Sequence, residues 1–146
     1  MEKIDRFDKE YFFLSNFYSA KVNYKGITFR NNEAAFQSMK ACDMEERYKF
    51  RDLKPSEAKK LGRTLSLPPN WEANKEYYMR EICYAKFTQN KYLRKKLLDT
   101  YPAFLEEGNW WGDREWGTVN GVGNNKLGYI LMDIREILRK ERNNKK

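Results

Sequence analysis

The chain has 146 residues, of which 40% are hydrophobic and 16% aromatic, and its formal net charge is +8. This apolar fraction can build one hydrophobic core, so the composition excludes an intrinsically disordered protein. Histidine is absent, which excludes a Ser-His-Asp triad, a Cys-His pair and a histidine-ligated metal, so catalysis would have to use carboxylates, lysine, backbone dipoles or a cofactor.

The sequence also indicates a compartment. No apolar run approaches the roughly 20 residues that cross a bilayer, and Lys3, Asp5 and Arg6 interrupt the stretch that a secretory signal would need. We therefore expect a cytoplasmic protein with no membrane partner. Cys42 and Cys83 lack a C-x-x-C spacing, so we expect neither a disulfide nor a zinc site and interpret both as small buried residues.

A β-hairpin and a helix are the first predicted elements. Apolar and polar residues alternate on both sides of Lys25-Gly26, which predicts a hairpin over residues 22–29. Asn31 is a suitable N-cap for a helix that we expect to run to about Met44. The spacing of residues along this helix puts an acid, an amide and an amine on one stripe, which consists of Glu33, Phe36, Gln37 and Lys40. Small and apolar residues occupy the other side of the helix, and we expect them to pack on the protein.

Helical periodicity dominates the rest of the chain. We predict helices from Pro55 to near Gly62, from Trp71 to about Phe87 with Asn70 as cap, from Asn90 to Tyr101, and from Leu127 to Leu138. No repeat or linker divides the sequence. The expected fold is therefore a helix-rich α+β single domain over residues 1–146, with a small hairpin and a basic tail from about residue 139.

Residues 109–126 form an unusual segment with three tryptophans, four glycines and four asparagines. Glycines there permit sharp turns and close approach of a ligand. Because the segment leads into the last helix, we expect the free N–H groups of that helix to form an anion site. Trp116 could stack on a base or could fill the core, and the sequence leaves both open.

Three side chains could perform chemistry on a glycosidic bond. Cleavage passes through an oxocarbenium-like state that one carboxylate can stabilise while a second acid protonates the leaving group, and Glu33 and Asp113 are the candidates. Glu33 alone could equally be an acid that favours a helix dipole. Lys40 could form a Schiff base with a ring-opened sugar or be one of many surface lysines.

Other signals are weaker. Ser15 and Asn16 could be no more than a turn between apolar anchors. Residues 139–146 carry a net charge of +4, from five positive charges and one negative, and form either a solvated helix end or an arm that binds phosphate. The P-loop, dinucleotide-binding and nucleophile-elbow motifs are absent from the sequence.

Ordered motifs across nearly the whole chain resemble the YbiA-like, or NADAR, family. They are Phe13-Leu14-Ser15-Asn16-Phe17-Tyr18, Asn32-Glu33-Ala34-Ala35-Phe36-Gln37-Ser38-Met39-Lys40, Ala85-Lys86-Phe87, Asp113-Arg114-Glu115-Trp116-Gly117, Gly123-Asn124-Asn125-Lys126-Leu127-Gly128, and Leu131-Met132 with Arg135. Members of this family are N-glycosidases that act on ribosylated heterocycles, either phosphorylated intermediates of riboflavin biosynthesis or guanine that carries ADP-ribose in nucleic acid.

The resemblance implies roles for individual residues. The expected catalytic residues are Glu33 as acid, Lys40 for covalent capture and Asp113 as the loop acid. The expected substrate-binding residues are Ser15, Asn16, Phe17, Gln37, Trp116, Gly117 and Asn125. We expect neither a metal nor another cofactor.

The residues and the resemblance together predict a cofactor-free N-glycoside hydrolase. Its expected partners are a ribosyl phosphate, ADP-ribose or ADP-ribosylated nucleic acid, with no obligate protein partner. Two alternatives are a module that binds ADP-ribose or a nucleotide without cleaving it, and a basic nucleic-acid-binding protein whose tail supplies affinity.

Overall fold

The computed structural model of the protein describes residues 2–145, which form six α-helices, one 3-10 helix and four short strands. In chain order these are β1 (Lys3–Ile4), the 3-10 helix (Lys9–Leu14), β2 (Val22–Tyr24), β3 (Ile27–Phe29), α1 (Asn32–Ser38), α2 (Met44–Tyr48), α3 (Pro55–Arg63), α4 (Trp71–Gln89), α5 (Lys91–Asp99), β4 (Phe104–Leu105) and α6 (Lys126–Asn144). The predicted helix-rich α+β class is thus confirmed.

Backbone contacts group these elements into two compact units. We call residues 16–90 the hairpin unit, and the residues up to 15 together with those from 91 onward the terminal unit. The first contains β2, β3 and α1 to α4, and the second contains the 3-10 helix, β1, β4, α5 and α6. The expectation of one domain over the whole chain stays a prediction.

The hairpin unit begins with the predicted hairpin. Strand β2 pairs antiparallel with β3, and Val22 lies opposite Phe29. Lys25 and Gly26 both have positive φ, 51° and 87°, which is the backbone of a tight hairpin turn whose twist matches that of the strands. Strand β2 packs against α4 and against α1, so the hairpin lies against the helix that holds Glu33 and Gln37.

Helix α1 is shorter than the sequence predicted. Asn31 caps it as expected, since its side chain accepts a hydrogen bond from the Ala34 N–H at 2.8 Å. The helix ends at Ser38 rather than near Met44, and a separate short helix follows after Asp43. The N–H groups of residues 39, 40 and 41 each donate to the carbonyl three positions earlier. This is the hydrogen-bond pattern of a 3-10 turn, and it ends the α-helix.

The terminal unit has its core on α6, and β4 pairs in parallel with β1. The apolar stripe of α6 packs on β4 and α5, and its fully buried members are Leu127, Ile130, Leu131, Ile134 and Leu138. This was the strongest periodicity in the sequence, and the helix is confirmed.

Two smaller expectations turn out differently. Cys42 is exposed and only Cys83 is buried, because the chain leaves α1 before Cys42 and no longer keeps that residue on a packed face. Asn70 precedes α4 as expected, but its backbone is left-handed, with φ of 62°, and its side chain makes no capping bond. None of the helices within residues 2–145 is long and apolar enough to span a bilayer.

Candidate active site

Glu33 lies in the first turn of α1, a helix that is buried along its whole length. Helix α1 packs against both α3 and α4. Only 9% of Glu33 is exposed to solvent, and the N–H of this residue donates to the Asn16 carbonyl at 3.1 Å. The carboxylate is therefore held in a partly desolvated position from which the chain cannot easily move it.

Gln37 fixes the Glu33 carboxylate from the next turn of the helix. Its Nε2 donates to Glu33 Oε2 at 2.7 Å, so the acid and the amide of the predicted stripe are in direct contact. Gln37 itself lies against Gly62 of α3, where an added Cβ would come within 2.0 Å of Gln37 Oε1. With a Cβ at this position, the Gln37 amide would have to move from its present place beside the carboxylate.

Lys40 stays close to Glu33 although α1 ends before it. It is half-buried, and burial lowers the pKa of its ammonium group, while Glu33 opposes that shift. Arg63, Lys59 and Lys75 lower the Lys40 pKa further by charge repulsion. A lysine with a lowered pKa has more of its amine in the neutral, nucleophilic form at a given pH.

Lys40, Lys59, Arg63 and Lys75 form a group that we call the cationic cluster. Three of these charges, together with that of the buried Glu33 carboxylate, act on Lys40. Lys75 also pairs with Glu72 one turn away on α4. Such a concentration of positive charge beside a carboxylate suits an anionic ligand, and phosphate is the commonest group of this kind.

Lys59 and Arg63 were not among the site residues predicted from the sequence. They are four residues apart on α3 and therefore share one face of that helix. That spacing was visible in the sequence, but only the packing of α3 against α1 shows that the charges on this face act on Lys40.

Aromatic side chains form the apolar part of the hairpin unit near Lys40. The rings of Phe36 and Trp71 are 5.3 Å apart, and Lys40 Nζ lies 5.7 Å from the Trp71 ring centre. Phe36 is buried, so it supports the site from beneath instead of facing a ligand as the stripe suggested. Phe17 is 39% exposed, and its ring faces Lys59 Nζ at 5.6 Å.

Asn16 does not have the free side chain that a sugar-binding residue needs. Only 7% of it is exposed, and its amide is bonded inside the hairpin unit to Met79, Asn32 and Cys83. The preceding Ser15 is half-buried at the end of the 3-10 helix, and its N–H donates to the Phe12 carbonyl. These bonds argue against the sugar contact expected of Asn16, which no contact in the structure tests.

Asp113 organises the tryptophan-rich segment of the terminal unit. One carboxylate oxygen accepts the N–H groups of Glu115 and Trp116 at 3.0 and 2.9 Å, which closes a turn. Trp116 is half-buried, and Lys126 Nζ lies 5.7 Å from its ring. Gly117 is buried, and a Cβ there would lie 2.1 Å from the Glu107 carbonyl oxygen. The close approach at this glycine is therefore made by the chain itself.

The anion site expected at the start of α6 is also corrected. The N–H groups of residues 124–127 donate to the carbonyls of residues 114–117, which satisfies the donors that would have bound a phosphate. Asn125 is 4% exposed, its Oδ1 accepts the Glu107 N–H at 3.0 Å and its Nδ2 donates to the Leu105 carbonyl at 2.9 Å. This asparagine ties the loop to the helix, and its amide is not free for substrate.

Comparison with known proteins agrees with the resemblance seen in the sequence. The NADAR domain model matches residues 4–139. The chain belongs to the NADAR domain family. An NMR structure of the Escherichia coli protein YbiA superposes with a TM-score of 0.87 at 37% identity, over 97% of this chain and 87% of that chain.

Relatives of this NADAR protein have enzyme names. The N-glycosidase YbiA of Escherichia coli (strain K12) is 40% identical over 131 residues, which covers 85% of this chain and 79% of the relative. A riboflavin biosynthesis protein of Vibrio vulnificus is 31% identical over 140 residues, which covers 90% of this chain and 36% of that larger protein. The NADAR protein described here is accordingly an enzyme of the N-glycosidase class.

Proposed function

We propose that this NADAR protein hydrolyses the N-glycosidic bond between a heterocyclic base and a ribose that carries phosphate, either as ribose phosphate or as ADP-ribose. The observation that supports this most is that buried Glu33 and half-buried Lys40 lie near enough for their charges to interact, with Arg63, Lys59 and Lys75 also acting on Lys40. ADP-ribosylated guanine and a riboflavin-pathway ribosylamine phosphate both meet this description, and the name of the Vibrio relative favours the second.

In the proposed reaction Glu33 acts on the sugar and the leaving base. The acid form donates a proton to the base nitrogen as the C1–N bond breaks, and the carboxylate that remains stabilises the positive charge on C1 and the ring oxygen. Gln37 holds the carboxylate in one orientation through its 2.7 Å hydrogen bond. The other three members of the cationic cluster, Lys59, Arg63 and Lys75, bind the phosphate, and this binding energy positions the sugar over Glu33.

Lys40 offers a covalent route. Its neutral amine attacks C1 as the C1–N bond to the base breaks, and Glu33 protonates the departing base. A proton of the resulting ammonium adduct passes to the ring oxygen as the ring C–O bond breaks, which gives a protonated imine between Lys40 and the open sugar. Water then adds to the imine carbon, and the ribose leaves as the amine is restored and the proton released returns to Glu33. The lowered pKa of Lys40 supports this route, because a neutral amine neither repels the developing positive charge nor needs a separate base.

Asp113 stays a predicted second acid. Its carboxylate already accepts two N–H groups of its own loop, an arrangement that keeps one oxygen in place. Trp116 likewise stays a predicted stacking residue, Ser15, Phe17 and Gly117 stay predicted substrate-binding residues, and the cytoplasmic location stays a prediction.

The experiment is to incubate the protein separately with a riboflavin-pathway ribosylamine phosphate and with DNA that carries ADP-ribosylated guanine. Mass spectrometry then measures the free base, and we expect release from one of the two substrates. Binding of ADP-ribose by calorimetry with no base released from either substrate would replace the hydrolase with a binding module.

The residue assignments are tested on the substrate that is consumed. We expect Glu33→Gln to keep its fold and to lose turnover by about 10²-fold or more, because the change keeps the size of the side chain and removes the acid. Glu45→Gln, which neutralises an exposed carboxylate of α2, is the matched control. Full turnover by Glu33→Gln would remove Glu33 from the mechanism.

Borohydride separates the covalent from the direct route. Reduction during turnover should trap a sugar adduct on the wild-type protein and on Lys60→Ala, an exposed neighbour on α3, but not on Lys40→Ala. If the wild type turns over substrate and yields no adduct, hydrolysis is direct.

A further inference from the structure

Asn16 is fully engaged inside the hairpin unit although none of the proposed steps uses it. Its Nδ2 donates to Met79 Sδ at 3.3 Å, and its Oδ1 accepts from Asn32 Nδ2 at 3.2 Å and from the Cys83 thiol at 3.8 Å. A buried amide with both ends bonded fixes the groups around it, because breaking any of these bonds leaves a polar atom unsatisfied.

The same residue holds the first turn of α1 from two directions. Its side chain bonds the Asn32 side chain, and its backbone carbonyl accepts the Glu33 N–H at 3.1 Å. The first N–H groups of a helix have no partner within the helix, so this carbonyl supplies one. Asn16 therefore contacts both the residue before the carboxylate and the backbone of Glu33 itself.

One face of α4 anchors the segment that contains Asn16. Met79 and Cys83, which bond its amide, are four residues apart and so lie on the same side of the helix. Lys86 continues that face, and its Nζ lies 5.5 Å from the ring of Tyr18, two residues beyond Asn16. Helix α4 thus holds this segment at two points, and the segment in turn holds the start of α1.

We propose that Asn16 is a positioning residue for the N-glycosidase reaction, which fixes the Glu33 carboxylate relative to Lys40 and does not contact the substrate. This inference rests on the proposed role of Glu33. A misplacement of a catalytic group by about 1 Å can lower a rate by about 100-fold, so a residue that holds the backbone of Glu33 affects kcat without affecting the binding of phosphate.

A double-mutant cycle tests the inference on the substrate that releases its base. We expect Asn16→Ala to lower kcat by about 10-fold and to change KM by less than about twofold, since only the reacting geometry is lost. In a protein that already carries Glu33→Gln, Asn16→Ala should lower kcat by less than about twofold, because there is no acid left to position. A substrate contact would instead raise KM and multiply the two losses.

Two further variants separate positioning from a general loss of stability. Asn90→Ala removes another amide of the hairpin unit, which bonds the Lys21 and Lys86 carbonyls, and we expect it to leave kcat unchanged. Met79→Leu keeps the volume of the side chain and removes the sulfur acceptor, so it should lower kcat by about two- to fivefold even if Asn16→Ala fails to fold.

The two levels of the hypothesis can fail separately. If neither substrate releases its base, or if Glu33→Gln keeps full turnover, the proposed function is wrong and the role of Asn16 falls with it. If Glu33→Gln loses turnover to the expected extent but the losses from Asn16→Ala and Glu33→Gln multiply, or Met79→Leu and Asn90→Ala behave alike, only the positioning role is overturned.

Discussion

Charge balance around Lys40 determines how much reactive amine is present. Burial lowers its pKa, the Glu33 carboxylate raises it, and Arg63 is the strongest of the neighbouring cations that lower it. The same cations that would hold a phosphate therefore also favour the neutral amine. Binding and nucleophile activation thus depend on one set of charges, and changing a single cation should affect both.

We predict that kcat/KM rises with pH as Lys40 loses its proton, and that Arg63→Ala shifts this rising part of the pH profile to higher pH. Removing this positive charge raises the Lys40 pKa toward its ordinary value, so a higher pH is needed for the same fraction of neutral amine. The measurement is kcat/KM across pH, with borohydride trapping of the lysine followed over the same range.

Lys60→Ala is the matched control for this prediction. It removes one positive charge from an exposed position on the same helix, and we expect the midpoint of the rising part to stay in place. Weaker phosphate binding by Arg63→Ala would lower kcat/KM at every pH, which is separable from a shift of the midpoint. A midpoint that stays in place, or moves to lower pH, in Arg63→Ala contradicts the assignment of Lys40 as the titrating group.

The contact of α1 with α3 sets how the carboxylate is held. Gly62 is buried in α3 and leaves room for the Gln37 amide, whose Nε2 binds Glu33 Oε2. An alanine would normally favour a helix by about 1 kcal/mol over glycine. Here its Cβ would lie 2.0 Å from Gln37 Oε1 and 2.9 Å from the Gln37 Cδ, so the amide would have to move.

We predict that Gly62→Ala lowers kcat by about 10-fold and the free energy of unfolding by about 1 kcal/mol, because the displaced Gln37 no longer orients Glu33. Steady-state kinetics and urea denaturation measure the two effects. Gly62→Ala combined with Gln37→Ala should recover the lost stability, since the shorter side chain makes room for the Cβ, but not the lost turnover. A Gly62→Ala protein with full turnover would show that the Gln37 contact does not matter.

Elements with local signals were predictable from the sequence. The positive φ at Gly26 and the cap at Asn31 follow from residue type alone. The end of α1 could not be predicted from the sequence, because no glycine or proline follows Ser38 before residue 44. Asp43 decides it: its side chain caps the Glu46 N–H at 2.8 Å, and this requires extended backbone at Asp43, where a continuous helix cannot pass.

The candidate site was predictable to the extent that one helix face contains it. The spacing of Glu33 and Gln37 put their side chains together, and the structure joins them by a hydrogen bond. Lys59 and Arg63 needed the packing of α3 on α1, which no local pattern shows. The N–H groups at the start of α6 were expected to be free, because hydrogen bonds to loop carbonyls between distant backbone positions leave no trace in residue types.

At the scale of the whole molecule, the buried charge of Lys86 opposes folding near neutral pH. Its side chain is among the largest that are fully buried, with 1% of the residue exposed, and its Nζ lies 5.0 Å from the Phe87 ring and 5.5 Å from the Tyr18 ring. Burial lowers the pKa of this lysine to about 8, and Cys83 offsets the shift only in part. Rings that face an ammonium group recover some of its lost hydration.

This lysine should make stability rise with pH in the alkaline range. Between about pH 8 and 10.5 the unfolded chain holds a proton on Lys86 that the folded protein has released, so the free energy of unfolding increases as pH rises and the gain is lost as pH falls through 8. The difference in unfolding free energy between the wild type and Lys86→Met is measured in urea at pH 7 and at pH 9. We predict that it changes by about 1 kcal/mol in favour of the wild type between these two pH values. Lys60→Met removes an exposed charge that is hydrated in both states, so its difference from the wild type should stay nearly constant. A constant difference for Lys86→Met as well would mean that the ammonium group keeps its water in the folded protein.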